Sequence, residues 1–191
     1  MNNIIPLFLF LAMISCIDKK QSNTLDNNKK EHQANSLPKI KYGKQFFDYN
    51  ELDHYYIDTK DNAVLSLYRS QDKSKTNKIR YEVIVGKTPN NITDQEFLKF
   101  IKKIGYSKRE VDSTKFKALN KIFVEKPEED MEGRACTPVY RDILIFKKDK
   151  KVNGIVKICF NCHHYRIFGT NANTKNFGSN TDYFQLKDLL K

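Results

Sequence analysis

The chain has 191 residues, enough for one folded domain with appended segments, and 39% of them are hydrophobic, enough for a core. Its 34 lysines and arginines exceed its 23 acidic residues, which gives a formal net charge of +11. The cations are mostly scattered lysines, without the compact basic clusters and interleaved aromatic residues typical of nucleic-acid binding, so no nucleic-acid partner is expected. The positive charge has two interpretations. It attracts anionic lipid headgroups or polyanions, or it belongs to a solvated lysine-rich surface without a partner.

The N-terminus carries an apolar run of eleven residues, Ile4–Ile14, within 15 residues that contain no charged side chain. The run is too short for a transmembrane helix, which needs about 20 residues, so it predicts a secretory signal peptide over residues 1–15. Its end, Met13-Ile14-Ser15-Cys16, resembles the lipobox of bacterial lipoproteins. That resemblance implies that the Cys16 thiol receives a diacylglyceryl group, that the chain is cut before Cys16, and that the new amine takes an acyl chain such as palmitate. A plain cleaved signal with an incidental cysteine, and an uncleaved anchor, are the alternatives.

Residues 16–39 are rich in Asn, Lys, Gln and Ser and nearly free of large apolar side chains. Such a segment cannot bury enough surface to offset the entropy of ordering it, so we predict that lipidated Cys16 is followed by a disordered tether. A flexible coil of about 22 residues spans about 25 Å on average. The expected partner is a membrane, reached through the lipid anchor, and the expected location is the bacterial envelope, at the outer membrane or the periplasmic face.

A single domain is expected over residues 40–191. Its first part, residues 42–57, is dense in tyrosine and phenylalanine, which indicates core. Apolar residues at helical spacing predict four short helices, over residues 61–71, 93–105, 113–125 and 181–191.

Local signals refine these expectations. Asp61 stands at an N-cap position, and Thr93 with Glu96 forms a capping-box pattern. Residues 77–86 alternate as in a strand but end in a helix stop, so both assignments stay open. An acidic loop is expected over residues 127–133 and a Gly- and Asn-rich loop over residues 169–180.

Two runs rich in Ile, Val, Phe and Tyr, Val139–Phe146 and Ile155–Phe160, predict the two strands of an antiparallel hairpin. The charged connector Lys147–Gly154 joins them and ends in Asn153-Gly154, which favours a chain reversal. With the turn centred near Asp149-Lys150, the numbers of paired residues sum to about 299. The predicted fold class is therefore α+β: one small domain in which short helices pack on a central antiparallel hairpin or sheet.

Three cysteines lie at the open end of this hairpin, and part of their sequence, Cys159-Phe160-Asn161-Cys162-His163, matches the C-x-x-C-H pattern of haem attachment. A redox dithiol or a zinc site would also use a C-x-x-C segment. Haem needs an apolar crevice and a second axial ligand, a thioredoxin-type dithiol needs a long following helix, and structural zinc needs a second pair of ligands. The sequence indicates none of these, but all three alternatives stay open.

A structural disulfide is the preferred interpretation of the cysteines. In a straight strand the Cα atoms of Cys159 and Cys162 would be about 10 Å apart, beyond the limit of about 7 Å for a disulfide. The residue numbers of Cys136 and Cys162 sum to 298, so the two cysteines face each other within one residue of the hairpin register. We predict a disulfide between Cys136 and Cys162, with Cys159 left as a buried thiol.

No catalytic residue, metal site or cofactor is assigned. His163 and His164 have no nucleophile or orienting carboxylate at a meaningful spacing, and His54 is interpreted as a half-buried packing residue. The chain has no phosphate-binding glycine loop and no H-E-x-x-H motif.

The segments C-T-P-V-Y-R-D-I-L-I-F and G-I-V-K-I-C-F-N-C, followed by F-G, resemble a family of small, uncharacterised envelope lipoproteins of Gram-negative bacteria. The resemblance covers residues 42–191 and implies a location without implying an activity. The function expected is a non-catalytic binding or assembly module held at a membrane, with an envelope protein as partner. The alternatives are a thiol, haem or metal protein that uses the C-x-x-C-H segment, and an immunity or inhibitor lipoprotein that neutralises one partner.

Overall fold

The computed structural model describes residues 43–70, 74–127 and 135–191 of the chain. The signal peptide, Cys16 and the tether, expected over residues 1–39, lie outside the described residues, as does most of the expected acidic loop. Within the described ranges, no helix is both long enough and apolar enough to cross a bilayer.

A five-stranded antiparallel sheet forms the centre of the domain, which confirms the predicted α+β class. Its strands, in chain order, are β1 (Glu51–Tyr56), β2 (Ser107–Glu110), β3 (Asp142–Lys148), β4 (Lys151–Cys159) and β5 (His164–Phe168). In space the order is β2-β1-β3-β4-β5, so the predicted hairpin, β3 and β4, lies within the sheet and the two shortest strands lie at its edges. The helices are α1 (Asp61–Arg69), α2 (Lys75–Ile84), α3 (Gln95–Phe100), α4 (Phe116–Ile122) and α5 (Asn180–Leu189), and a 3-10 turn (Ser113–Lys115) precedes α4.

The hairpin turns at the predicted place but is tighter than expected. Asp149 and Lys150 have φ of 49° and 67°, which is the two-residue turn that matches the twist of antiparallel strands. The Asn50 side chain donates to Asp149 Oδ1 at 2.7 Å and accepts from the Asp149 amide at 3.0 Å. The segment expected to be a loop, Lys147–Gly154, is therefore mostly strand.

Asn153-Gly154 does not form the reversal, and this expectation was wrong. The pairing sum is 299 next to the turn, as in Lys147↔Val152, and 300 beyond it, as in Phe146↔Gly154, so Asn153 is the extra residue of a bulge. Gly154 is needed for packing, because a Cβ at this position would collide with the ring of Phe47.

The two faces of the sheet carry different cores, since side chains alternate along β3 and β4. One face is aromatic: Phe47 stacks on Phe146 with ring centroids 4.3 Å apart, and α4 and α5 cover it. The other face is mainly aliphatic and is covered by α1, α2 and α3. The domain therefore has three layers. Phe46, Phe47 and Tyr55 are buried as expected for the aromatic segment 42–57, whereas Tyr56 is 42% exposed.

Residues 77–86, which the sequence leaves ambiguous, fall mostly in helix α2. Ser74 caps this helix by accepting from the Asn77 amide at 3.2 Å, and the helix buries Val83 and Ile84. The alternating apolar residues here belong to a helix and not to a strand. The helix buries two adjacent residues, Val83 and Ile84, which lie on one of its faces.

The other helices lie near their expected positions, with different caps. Asp94, not Thr93, caps α3 by accepting from the Phe97 amide at 2.9 Å, while Thr93 bonds to Asn91. The helix expected over residues 113–125 ends at Ile122, because the chain then extends and Val124 pairs with Gln45. Tyr183 and Leu186 of α5, and Leu190 at its C-cap, are buried, as their spacing predicts.

The C-x-x-C-H segment is not a straight strand, which corrects the geometry assumed for it. Strand β4 ends at Cys159, residues 160–163 form a turn in which His163 has a φ of 51°, and β5 starts at His164. This turn brings Cys162 back toward the chain that precedes β3.

Candidate functional site

The structure pairs Cys136 with Cys162 in a disulfide, with Cα atoms 6.1 Å apart, as the hairpin register predicts. The bond ties the segment before β3 to the turn between β4 and β5. Cys159 keeps a free thiol and is buried, also as predicted. The Cys159 sulfur accepts a hydrogen bond from the Val139 amide at 3.4 Å, so the thiol helps to fix the segment that the disulfide anchors.

A groove of about 610 Å³ lies beside this disulfide. Helix α1 forms one wall with Val64, Leu65 and Tyr68, and the end of α2 forms a second wall with Tyr81 and Val85. The third wall consists of the disulfide, the segment leading into β3, and the turn after β4. The volume lies within the range of natural ligand sites, and the walls are mostly apolar.

The rim of the groove exposes large apolar side chains. Leu65 is 44% exposed and Tyr68 is 59% exposed, whereas Val64 on the same helix is buried against the aliphatic core. The rings of Tyr68 and Tyr81 lie 5.7 Å apart between centroids, so the two helices present one aromatic surface. Large apolar side chains grouped at a rim mark a binding surface more often than scattered ones do.

The polar end of the groove is formed by Arg141 and Asp61. The Arg141 Nε donates to the Thr59 carbonyl at 2.8 Å, and a second guanidinium nitrogen donates to the Asp61 carboxylate. Asp61 is therefore not the N-cap of α1: Lys60 holds that position without a side-chain cap, and Asp61 lies in the first turn. The Asp61 side chain remains 77% exposed, so its second oxygen is open to a ligand or to water.

Lys157 is the most unusual charged residue near the groove, and sequence reasoning missed it. It is completely buried, and its ammonium group donates to the carbonyls of Gly86 at 3.1 Å and Thr88 at 2.7 Å. The group also lies 4.5 Å from the centre of the Tyr140 ring. Burial, with a smaller effect of Arg166, lowers the Lys157 pKa to about 7. A lysine inside the run Ile155–Ile158 was the signal that could have revealed it.

His54 lies on the opposite face of the sheet and is fully buried, not half-buried as expected. Its Nδ1 accepts from Arg109 Nε at 3.0 Å, so the ring proton is on Nε2, which donates to Asp142 Oδ1 at 2.8 Å. Both ring nitrogens are thus engaged. This arrangement links β1, β2 and β3 and leaves neither nitrogen for proton transfer to a substrate.

The residues of the C-x-x-C-H pattern do not converge on one centre. Cys162 is bonded to Cys136, Cys159 is buried beneath the groove, and the His163 ring stacks on Tyr183 with centroids 4.5 Å apart. Among residues 43–70, 74–127 and 135–191, no group of three or more His, Cys, Asp or Glu side chains is arranged to hold a metal ion.

The groove is the feature that the sequence did not predict, because its walls come from segments that are far apart in the chain. Comparison with protein-family models, with curated proteins and with solved structures gave no match. The likeness to small Gram-negative lipoproteins therefore stays a prediction, and the chemistry of the groove is the basis for a functional proposal.

Proposed function

We propose that this chain is an envelope lipoprotein, anchored through Cys16, whose domain is a non-catalytic module that binds a partner protein in the groove. The observation that carries the proposal is the pair of exposed apolar residues, Leu65 and Tyr68, at the rim of an apolar groove. The occupant is an apolar segment of an envelope protein whose surrounding surface is acidic, which complements the net charge of +11.

A protein occupant accounts for the rim better than a small molecule does. A small ligand held inside the groove would leave the outer faces of Leu65 and Tyr68 in water. A protein surface would cover both residues and also meet the exposed carboxylate of Asp61. Aromatic side chains at the centre of a buried patch provide much of the binding energy in protein interfaces.

The disulfide and the buried Cys159 thiol act as structural supports for the groove wall in this proposal. A haem, dithiol or metal role for the C-x-x-C-H segment has less support, because Cys162 has no free thiol while it is bonded to Cys136. An inhibitor or immunity role is a special case of partner binding and would use the same groove.

The anchor makes such binding effective at a membrane. A single acyl chain binds a bilayer weakly and reversibly, whereas two or more hold a protein stably. A diacylglyceryl group on Cys16 would therefore keep the module at the membrane surface, and a tether of about 25 Å would set its reach.

Site-specific photocrosslinking in the source bacterium tests this function. A benzoyl-phenylalanine at position 68 is expected to give one discrete adduct with an envelope protein, identified by mass spectrometry. The control is the same crosslinker at Phe184, which is 65% exposed but lies on α5, outside the groove. The additional substitution Leu65→Asp should abolish the adduct at position 68. Equal adducts from both positions, or a small apolar molecule retained by the purified protein in native mass spectrometry, would overturn the proposal.

A further inference from the structure

Five exposed lysines lie on α2, α3 and the helical turn that follows α3. We call Lys75, Lys78, Lys99, Lys102 and Lys103 the lysine patch; all five are exposed. Phe100 stands among them, with the ammonium of Lys75 5.8 Å and that of Lys103 5.3 Å from its ring centre. Lys75 of α2 and Lys103 of the turn after α3 thus meet at one aromatic ring.

The charge of this region is not neutralised. Residues 74–105 contain seven lysines and arginines against three acidic residues, Glu82, Asp94 and Glu96, so their net charge is +4. Asp94 uses its carboxylate to cap α3. Lysines elsewhere do have carboxylate partners, as Lys108 has in Asp53, but none of the five patch lysines forms an ion pair with a carboxylate in the part of the chain that the structure describes.

The contacts within the patch add little to the stability of the fold. Lys99 lies three residues from Lys102 and four from Lys103, a spacing at which like charges on a helical surface repel each other. The attraction of Lys75 and Lys103 to the Phe100 ring is weak at an exposed site. A solvated surface would need only dispersed lysines, whereas this arrangement concentrates positive charge and places a half-buried aromatic ring at its centre.

We infer that the lysine patch is a docking surface for the anionic headgroups of a lipid bilayer. The inference rests on the proposed function in one respect: the anchor would bring the patch within reach of the bilayer at high effective concentration. Lysine ammonium groups on flexible stems suit a fluid layer of headgroups, whereas bidentate recognition of a defined phosphate favours arginine. An aromatic ring among the cations fits the interfacial region, where such rings accumulate.

Docking through the patch would also orient the groove. Helix α2 carries Lys75 and Lys78 near its start and Tyr81 near its end, and six residues of helix rise about 9 Å. A patch resting on the headgroups would therefore hold the groove close to the membrane surface. The partner segment would then be met near the bilayer rather than anywhere within the reach of the tether.

Vesicle binding of an unlipidated chain tests the docking surface separately from the anchor and from any protein partner. The protein is residues 16–191 with Cys16→Ser, which retains every described element and the cores on both faces of the sheet. Co-sedimentation with vesicles of 30% phosphatidylglycerol in phosphatidylcholine is compared with pure phosphatidylcholine, at low and at high salt. Binding to the anionic vesicles only, and loss of that binding at high salt, is the expected result.

The variant K99E/K103E isolates the patch, and K117E/K121E on α4 is its control, because both pairs are exposed lysines and both substitutions change the net charge equally. Each lysine near an anionic surface contributes about fivefold in partitioning, so the patch variant should bind at least about 25-fold more weakly. The control should lose less than about fivefold, and K75Q/K78Q should fall between the two. Circular dichroism verifies that each variant is folded.

Three results would overturn the inference. Equal losses in K99E/K103E and K117E/K121E would mean that the charge acts diffusely and that no defined surface exists. Equally tight binding to pure phosphatidylcholine and to anionic vesicles would mean that charge does not cause the binding. Tighter binding of the patch to heparin than to the vesicles would assign it to a soluble polyanion. None of these results bears on the photocrosslinking from position 68. The proposal for the groove and the inference for the lysine patch are therefore tested independently.

Discussion

Removing the disulfide between Cys136 and Cys162 tests whether the wall of the groove depends on it. The bond spans 26 residues of sequence, and the chain-entropy model gives about 3.5 kcal/mol for closing a loop of that length. Cys136→Ala and Cys162→Ala should each lower the free energy of unfolding of the oxidised protein by about that amount. The double variant should lose little more than either single variant, because all three remove the same bond.

Cys159→Ala is the matched control for this experiment. Cys159 is buried to the same degree as the core around it but forms no disulfide, so its truncation should cost about 1 kcal/mol with or without reductant. Urea unfolding followed by circular dichroism, with and without reductant, measures these variants together with the double variant of Cys159→Ala and Cys162→Ala. Strong coupling between Cys159 and Cys162, with none between Cys136 and Cys162, would refute the structural role of the disulfide and favour C-x-x-C chemistry.

Four further predictions concern the anchor and the core. Cys16→Ser should abolish acylation and move the protein out of the membrane fraction, which metabolic fatty-acid labelling and fractionation measure; mature-size protein that still partitions with membranes would contradict the lipobox. For Lys157, whose pKa is about 7 in the fold and 10.5 when unfolded, the unfolded chain binds more protons between these values, so stability should rise with pH there by up to about 1.4 kcal/mol per unit. Urea unfolding at pH 6.5, 7.5 and 8.5 should show this rise and show it absent in Lys157→Met. His54→Ala should lower the free energy of unfolding by about 2 kcal/mol, because the buried ring and its hydrogen bonds to Asp142 and Arg109 are lost, whereas equal stability in urea would show that these hydrogen bonds are unimportant. Gly154→Ala should cost about 1–3 kcal/mol in thermal unfolding through its collision with Phe47, and a neutral result would show that the ring can move aside.

The central hairpin could be predicted because its information is local. Two apolar runs rich in β-branched residues surround a short polar segment, and the turn at Asp149-Lys150 then determines the register. The disulfide follows from that register, although the bulge at Asn153 and the turn at residues 160–163 alter the path on which Cys136 meets Cys162. Two small irregularities therefore left the predicted pairing intact.

Strand β1 could not be recognised, because its buried polar residues are compensated by distant ones. Asp53 is only 3% exposed and forms ion pairs with Lys108 and Lys147, while His54 bonds to side chains from β2 and β3. In the sequence these residues make the strand look like a polar surface. Their burial becomes understandable only when partners more than 50 residues away are in place.

The groove could not be predicted from the sequence for a related reason. Leu65 and Tyr68 resemble ordinary core residues of an amphipathic helix, and nothing local indicates that they stay exposed. The groove arises where α1 and α2 meet the segment held by the disulfide, so it depends on the packing of three separate parts of the chain. Sequence reasoning identified the chemistry of the cysteines but not the surface that they support.

The edge strands of the sheet affect how readily copies of the domain would associate with one another. Edge strands are the usual sites at which one sheet adds to another, and lipid anchoring would concentrate many copies in two dimensions. Here β2 has only four residues, three of them charged, and β5 has five, ending before Gly169 with a φ of 88°. Short, charged or sharply ended edges offer few consecutive backbone groups to a neighbouring molecule. These edges therefore disfavour strand-to-strand association, which the proposed anchoring would otherwise promote by crowding the copies together.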